Sequence, residues 1–233
     1  MENEKVEKVK VHNVIIMDRS GSMESIKMAA IGGYNELLNG VKAAKEKFAD
    51  TQLQLLSLVL FDSNSIDTVY WDTDPEAARK LDTNSYVPGA CTPLFDAIGV
   101  TLNRLQKETA DDPTATILVT IITDGYENSS VQFSGASIRS LIEELTKMGW
   151  VFAYMGTDHD VSMVTRDLAI KNSMSFDKSD AGTAQAWEKE LYARKAYYER
   201  VDNIRKAKGD YALFRKENAD DWYEDDNVGK ENK

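Results

Sequence analysis

Apolar residues along this chain follow two periods that take turns. Short, nearly unbroken apolar runs at Val14-Ile15-Ile16-Met17, Leu53 to Phe61, Thr116 to Thr123 and Trp150 to Met155 have the length and continuity of strands covered on both faces. Between them the period becomes helical. Ile26, Ala30, Tyr34, Leu37, Leu38, Val41, Ala44 and Phe48 predict a helix over about Ser25 to Lys47, and Leu94, Ala97, Ile98, Leu102 and Leu105 predict another from Thr92-Pro93 to about Lys107. Ser137 to Met148 reads as a third helix. Ser65 to Trp71, after the Asp62-Ser63-Asn64 turn, reads as an edge strand. Gly156-Thr157-Asp158 opens a short helix to about Ile170, with Asp158 as its cap, and Met174-Ser175-Phe176 is a last strand. Strands separated by helical segments of ten residues or more belong to a parallel sheet. The expected fold is therefore α/β: a doubly wound, mostly parallel open sheet with one antiparallel edge strand and helices on both faces.

A further helical stretch, Asp180 to about Lys206, carries Ala184, Trp187, Leu191, Tyr198 and Val201 on one stripe. About 27 residues at about 1.5 Å each exceed what a covering helix needs, so its far end is expected to project. Tyr197, Tyr198, Tyr211 and Phe214 leave a hydrophobic patch there as a surface for self-association. The chain divides into a charged N-terminal segment (1–10), an α/β domain (11–178), a C-terminal helix partly packed on it (179–209) and an acidic tail (210–233) expected to be flexible.

Candidate chemistry sits behind the first apolar run. Asp18-Arg19-Ser20-Gly21-Ser22 places three hard oxygen ligands at a strand end, and in extended backbone positions i, i+2 and i+4 share one side. Taken alone, such residues also serve as ordinary helix caps. Two later segments supply more ligands of the same kind: Thr92 at a loop-to-helix junction in Gly89-Ala90-Cys91-Thr92-Pro93-Leu94, and Asp124 after Thr120-Ile121-Ile122-Thr123. Asp18, Ser20, Ser22, Thr92 and Asp124, in that order, closely resemble the metal-ion-dependent adhesion site of von Willebrand factor type A domains, over roughly Val11 to Phe176. The resemblance implies a cation at the carboxyl edge of the sheet.

Hydroxyls and carboxylates suit Mg²⁺ or Mn²⁺. With three hydroxyls and only two carboxylates the ion stays electrophilic, and the resemblance implies that an Asp or Glu of a partner protein completes its shell. Arg19, Glu24, Tyr126 and Glu127 are read as the rim that meets this partner. Asp96 is read as a helix N-terminal acid favoured by the dipole.

Composition narrows the alternatives. A net charge of −11 argues against nucleic acid as a partner, because phosphate neutralisation needs clustered Lys and Arg. No run approaches the ~18 apolar residues of a membrane span. The N-terminus lacks the apolar core of a secretion signal and the single cysteine, Cys91, offers no disulfide framework, so a cytoplasmic protein is expected, and the resemblance implies a bacterial-type member of the family. Catalysis is weighed and set aside. A Mg²⁺-dependent phosphatase using Asp18 as nucleophile would want a second aspartate two residues on, where this chain has Ser20. There is no Gly-x-Ser-x-Gly elbow, and only His12 and His159 could act as imidazole bases. A third reading has the chain act mainly through its C-terminal helix and tail, whose Asp220 to Asp226 could supply an acid to a metal site.

Overall fold

The computed structural model describes residues 7–157, 161–220 and 222–223. Among these residues six strands form one sheet: β1 (Val9–Asp18), β2 (Gln52–Asp62), β3 (Ser65–Thr73), β4 (Thr116–Thr123), β5 (Val151–Gly156) and β6 (Asn172–Ser175), in the spatial order β3-β2-β1-β4-β5-β6. The β2–β3 hairpin is antiparallel and every other pairing is parallel. Strand order reverses at β1, whose neighbours are β2 on one side and β4 on the other. In open α/β sheets a crevice forms at the carboxyl ends of strands where the order switches. Asp18 ends β1 and Asp124 follows β4 directly, so the topology delivers both carboxylates there.

Among the described residues six α-helices cover the sheet: α1 (Lys27–Lys47), α2 (Leu94–Glu108), α3 (Gly135–Lys147), α4 (Val161–Asp167), α5 (Asp180–Lys206) and α6 (Tyr211–Glu217). Alternation along β1 assigns the faces. Val14 and Ile16 point to a core shared with Ala97, Ile98 and Leu102 of α2 and with Ile138 and Ile142 of α3. Ile15 and Met17 point the other way, to Tyr34 and Leu38 of α1 and Trp187 of α5. The two helices of that second face lie close. A Cβ on Gly33 would stand 2.0 Å from Trp187 Cδ1, so only glycine lets the indole seat against α1.

The C-terminal region differs from expectation. Along α5, burial continues from Thr183 to Asp202, and Asp202 accepts a hydrogen bond from Thr51 Oγ1 at 2.7 Å. Tyr197, Tyr198, Tyr211 and Trp222 join a third core cluster with Val9, Val11, Phe48 and Val151, and Phe214 packs against it. The aromatic patch expected on a projecting helix is thus interior. Residues 211–217, expected within a flexible tail, form α6, and Trp222 is held by its backbone N–H on Asn172 Oδ1 at 3.0 Å. Local composition there is acidic, but what decides is the aromatic surface these residues bury, about 150–250 Å² for each ring. Asp220 pairs with Lys171, and the tail acids beyond it lie outside the described residues.

Beneath α5 the core is polar. Arg194 and Glu190 form an ion pair at 3.0 Å with both side chains 0% exposed. Arg194 donates to Asn13 Oδ1 (2.7 Å) and Thr120 Oγ1 (2.6 Å), and Glu190 accepts from Thr120 Oγ1 (2.7 Å), Trp222 Nε1 (2.8 Å) and Tyr223 Oη (2.8 Å). Buried charges persist only when so paired.

Candidate metal centre

Asp18 is the last residue of β1 and its side chain is committed before any ligand is considered. Its Oδ1 accepts the Ser20 backbone N–H at 2.7 Å, and its Oδ2 accepts Thr123 Oγ1 at 2.6 Å from the end of β4. Burial raises its pKa from the ordinary carboxylate value to about 6, the hydrogen bonds from Thr123 and Ser20 oppose the rise, and the neighbouring Asp124 adds to it. A cation between the two carboxylates would relieve the cost of keeping both ionised.

The turn after Asp18 is not extended, contrary to the strand-alternation argument for Ser22. The bond from Ser20 N to Asp18 folds the chain, and Ser22 sits in a 3₁₀ turn (Gly21–Ile26) anchored by buried Met23 and Ile26. Convergence still results: Ser20 Oγ and Ser22 Oγ lie 3.1 Å apart, and Ser22 Oγ donates to Asp124 Oδ1 at 2.5 Å. Gly21 N–H donates to Ala90 O (3.1 Å) and Gly89 N–H to Arg19 O (2.9 Å), locking this turn to the loop that carries Thr92. Tyr86 Oη, donating to Asp18 O at 2.5 Å, fastens the same two segments from beneath.

Thr92 precedes α2 but does not cap it. The first turn of α2 is satisfied from the β4–α3 loop, with Phe95 N–H on Glu127 Oε2 (2.9 Å) and Asp96 N–H on Ser130 Oγ (3.0 Å). Thr92 is instead held through its backbone, its N–H on Asn128 Oδ1 at 2.8 Å. A Cβ placed on Gly125 would lie 3.5 Å from Ser22 Oγ and 3.9 Å from Thr92 Oγ1, which puts both hydroxyls around one small cradle beside Asp124. The five residues that the sequence offers as ligands therefore stand along the same sheet edge, with Ser20, Ser22 and Asp124 in direct contact. Among the described residues no cluster of three or more His, Cys, Asp or Glu side chains could hold a metal, so this donor set rests on hydroxyls as much as on carboxylates. Such a set fits a hard, octahedral dication.

The expected rim divides. Arg19 is only 15% exposed and is consumed by Asp62 (2.9 Å), Asp67 (2.8 Å) and Ser65 (3.0 Å). Glu127 accepts from Phe95 N, Ser129 N, Ser130 N and Ser130 Oγ, so it builds the loop. Glu24 and Tyr126 stand exposed beside the site. Asp96 accepts three backbone N–H groups, from Val131, Gln132 and Phe133, and fixes the same loop. His12 is turned to Asp72, Nδ1 to Oδ1 at 2.8 Å, while His159 and the cap expected at Asp158 lie outside the described residues.

Two site residues escaped the sequence reading. Thr123 could have been found as the hydroxyl opposite Asp18 at the end of the neighbouring strand. Lys178 could not: its Nζ lies 2.8 Å from Asp124 Oδ2, an ion pair formed across the sheet edge from the connection between β6 and α5.

No sequence profile of a known family matches the chain, and no curated protein sequence matches it. Solved structures do. The SpRpn10 VWA domain is similar with a TM-score of 0.52 and 11% identity, over 80% of this chain and 95% of that one. The pilus adhesin SpaC of Lactobacillus rhamnosus GG, in its open conformation, is similar with a TM-score of 0.56 and 12% identity, over 85% of this chain and 30% of the adhesin. Proximal thread matrix protein 1 of the mussel byssus, with its zinc-occupied MIDAS motif, gives a TM-score of 0.50 and 14% identity, over 81% of this chain and 46% of that one. This chain thus spans under half of the adhesin and of the byssus protein. Sheet order, helix placement and these likenesses agree that the chain has the fold of a von Willebrand factor type A domain.

Proposed function

We propose that this chain is a metal-dependent protein-interaction module without catalytic turnover, in which Asp18, Ser20, Ser22, Thr92 and Asp124 hold Mg²⁺ or Mn²⁺ and an Asp or Glu side chain of a partner protein completes the site. The observation that supports this reading is the chain of contacts at the switch point of the sheet, Ser20 Oγ to Ser22 Oγ at 3.1 Å and Ser22 Oγ to Asp124 Oδ1 at 2.5 Å, with Asp18 on the adjoining strand end and Thr92 Oγ1 3.9 Å from where a Cβ on Gly125 would stand. The zinc-occupied MIDAS motif of the byssus protein, on the same fold, supports a divalent ion as the occupant. When bound, the ion supplies a Lewis-acidic position for a carboxylate oxygen. The protein's part is to orient the ligands: Thr123 and Ser20 N–H fix Asp18, Ser22 fixes Asp124, and exposed Glu24 and Tyr126 border the approach.

A competing surface on the C-terminal helix is weakened by burial, because the aromatics of α5 and α6 that would form it are core residues. A cytoplasmic setting goes with this reading and rests on composition, chiefly the lone cysteine, while a bacterial one rests only on the resemblance of the motif.

Metal is the first thing to test. Mg²⁺ or Mn²⁺ should raise the melting temperature of the full chain, since a ligand that binds only the native state stabilises it by mass action, and Asp18→Ala should remove the effect while circular dichroism stays native. A pull-down with and without EDTA then identifies the partner. Saturating cation that leaves the wild-type melting temperature unmoved refutes the reading, and metal-dependent phosphatase turnover lost in Asp18→Asn would replace it with the phospho-aspartate alternative.

A further inference from the structure

One of the five residues proposed to hold the ion already has a cation beside it. Asp124 has a side chain with 0% exposure, and both of its oxygens are engaged: Oδ1 accepts from Ser22 Oγ at 2.5 Å and Oδ2 faces Lys178 Nζ at 2.8 Å. Arg19, another cation of this edge, is committed to Asp62 and Asp67. Charge compensation of Asp124 within the described residues therefore comes from Lys178, and a buried carboxylate without such a partner is strongly disfavoured.

The connection that presents Lys178 is short and held at both ends. Phe176 is buried and its N–H donates to Gly156 O at 3.0 Å, at the end of β5. Ser179 caps α5, accepting the Gly182 N–H at 3.1 Å, and Ser179 N–H in turn donates to Asp177 O at 2.7 Å. Only glycine fits at position 182, where a Cβ would meet Asp177 O at 2.5 Å. Lys178 is thus delivered to the site edge by fixed backbone, and its side chain is 23% exposed.

Building on the metal reading above, we propose that Lys178 is a resident cation of this site, which occupies the Asp124 side in place of a divalent ion and must withdraw for that ion to bind. An ammonium at 2.8 Å from Asp124 Oδ2 and a dication ligated by Asp124 would repel each other across one carboxylate. Lys178 therefore lowers the metal affinity of the site and couples ion binding to the β6–α5 connection. Its side chain, 23% exposed, already borders the solvent into which it would withdraw.

The test is Mn²⁺ titration of the full chain by calorimetry. Lys178→Met keeps the aliphatic stem and removes the charge, and should tighten Mn²⁺ binding about tenfold or more, the factor expected when a competing close charge pair is lost. Lys178→Gln should tighten it too, and serves if the Met variant does not fold. Lys178→Arg, which keeps the cation, should stay near the wild type. A second readout is hydrogen exchange: in the wild type, Mn²⁺ should accelerate exchange of the Asp177 to Ser179 amides, and in Lys178→Met it should not. Unchanged or weaker Mn²⁺ affinity in Lys178→Met and Lys178→Gln, with wild-type binding intact and lost in Asp18→Ala, overturns this inference alone. Absence of Mn²⁺ binding in natively folded wild type and variants overturns both it and the metal reading.

Discussion

Arg194→Met should cost about 3 kcal/mol of folding free energy, near the lower end of the ~3–5 kcal/mol found when one partner of a buried ion pair is removed. Methionine approximates the length of the arginine stem, so the loss is polar rather than a cavity. What disappears is the ion pair to Glu190 at 3.0 Å and the hydrogen bonds to Asn13 Oδ1 at 2.7 Å and Thr120 Oγ1 at 2.6 Å. What remains moderates the cost. Glu190 keeps three neutral donors, Thr120 Oγ1, Trp222 Nε1 and Tyr223 Oη, and Asn13 Oδ1 keeps Tyr198 Oη at 2.5 Å. Against a total stability of about 5–15 kcal/mol this is a large fraction. With a urea m-value of about 2–3 kcal/mol/M the unfolding midpoint should fall by about 1–1.5 M. The assay is urea denaturation followed by circular dichroism and tryptophan fluorescence, since Trp222 reports on the same network. Glu190→Gln added to Arg194→Met removes the stranded charge and should recover about 1–2 kcal/mol, as neutral replacement of buried pairs does. An Arg194→Met protein within about 1 kcal/mol of the wild type, or a double variant no more stable than the single one, would refute the argument that charge compensation holds α5 to the sheet.

Two further substitutions separate positioning from scaffolding. Thr123→Val removes the donor to Asp18 Oδ2 while keeping shape, and should weaken Mn²⁺ binding by about 10–100-fold, as loss of groups that orient metal ligands does, with native circular dichroism; unchanged affinity in a metal titration would show that Asp18 needs no such support. Glu127→Ala removes the acceptor for three backbone N–H groups and one hydroxyl, and should cost about 1–2 kcal/mol in urea melts, the scale of a lost helix cap. An unaltered melt combined with lost partner capture would return Glu127 to the partner-contacting rim.

The strands and the ligands were legible because each depends on local pattern. Thr116 to Thr123 occurs as expected because an apolar run of strand length has few other ways to bury both faces. The residues of the proposed metal site could be singled out because each stands at the end of such a run or at a loop-to-helix junction, where parallel topology gathers side chains. Boundaries moved where a side chain intervened: the Asp18–Ser20 turn replaced extended backbone with a 3₁₀ turn, and Glu127 satisfies the first turn of the helix that begins after Thr92-Pro93.

By itself the sequence determined the alternation of elements, the handing of Asp18 and Asp124 to one sheet edge, and the hard-oxygen character of the site. Periodicity and ligand chemistry are properties of neighbouring residues, and a sequence records neighbours. Tertiary structure decided what distant residues do to one another. Glu190 and Arg194 read as part of a solvated charged face, yet Asn13 and Thr120, polar breaks in two apolar strands, draw them into the core. Trp222 and Tyr223 read as an acidic tail, yet aromatic surface and a buried carboxylate acceptor dock them against the sheet. Lys178 carries no signal in the sequence, and the turn from β6 into α5 sets its charge on Asp124. In each case the energy comes from compensating a group that the fold has already removed from water, and that removal exists only once the sheet and helices have assembled.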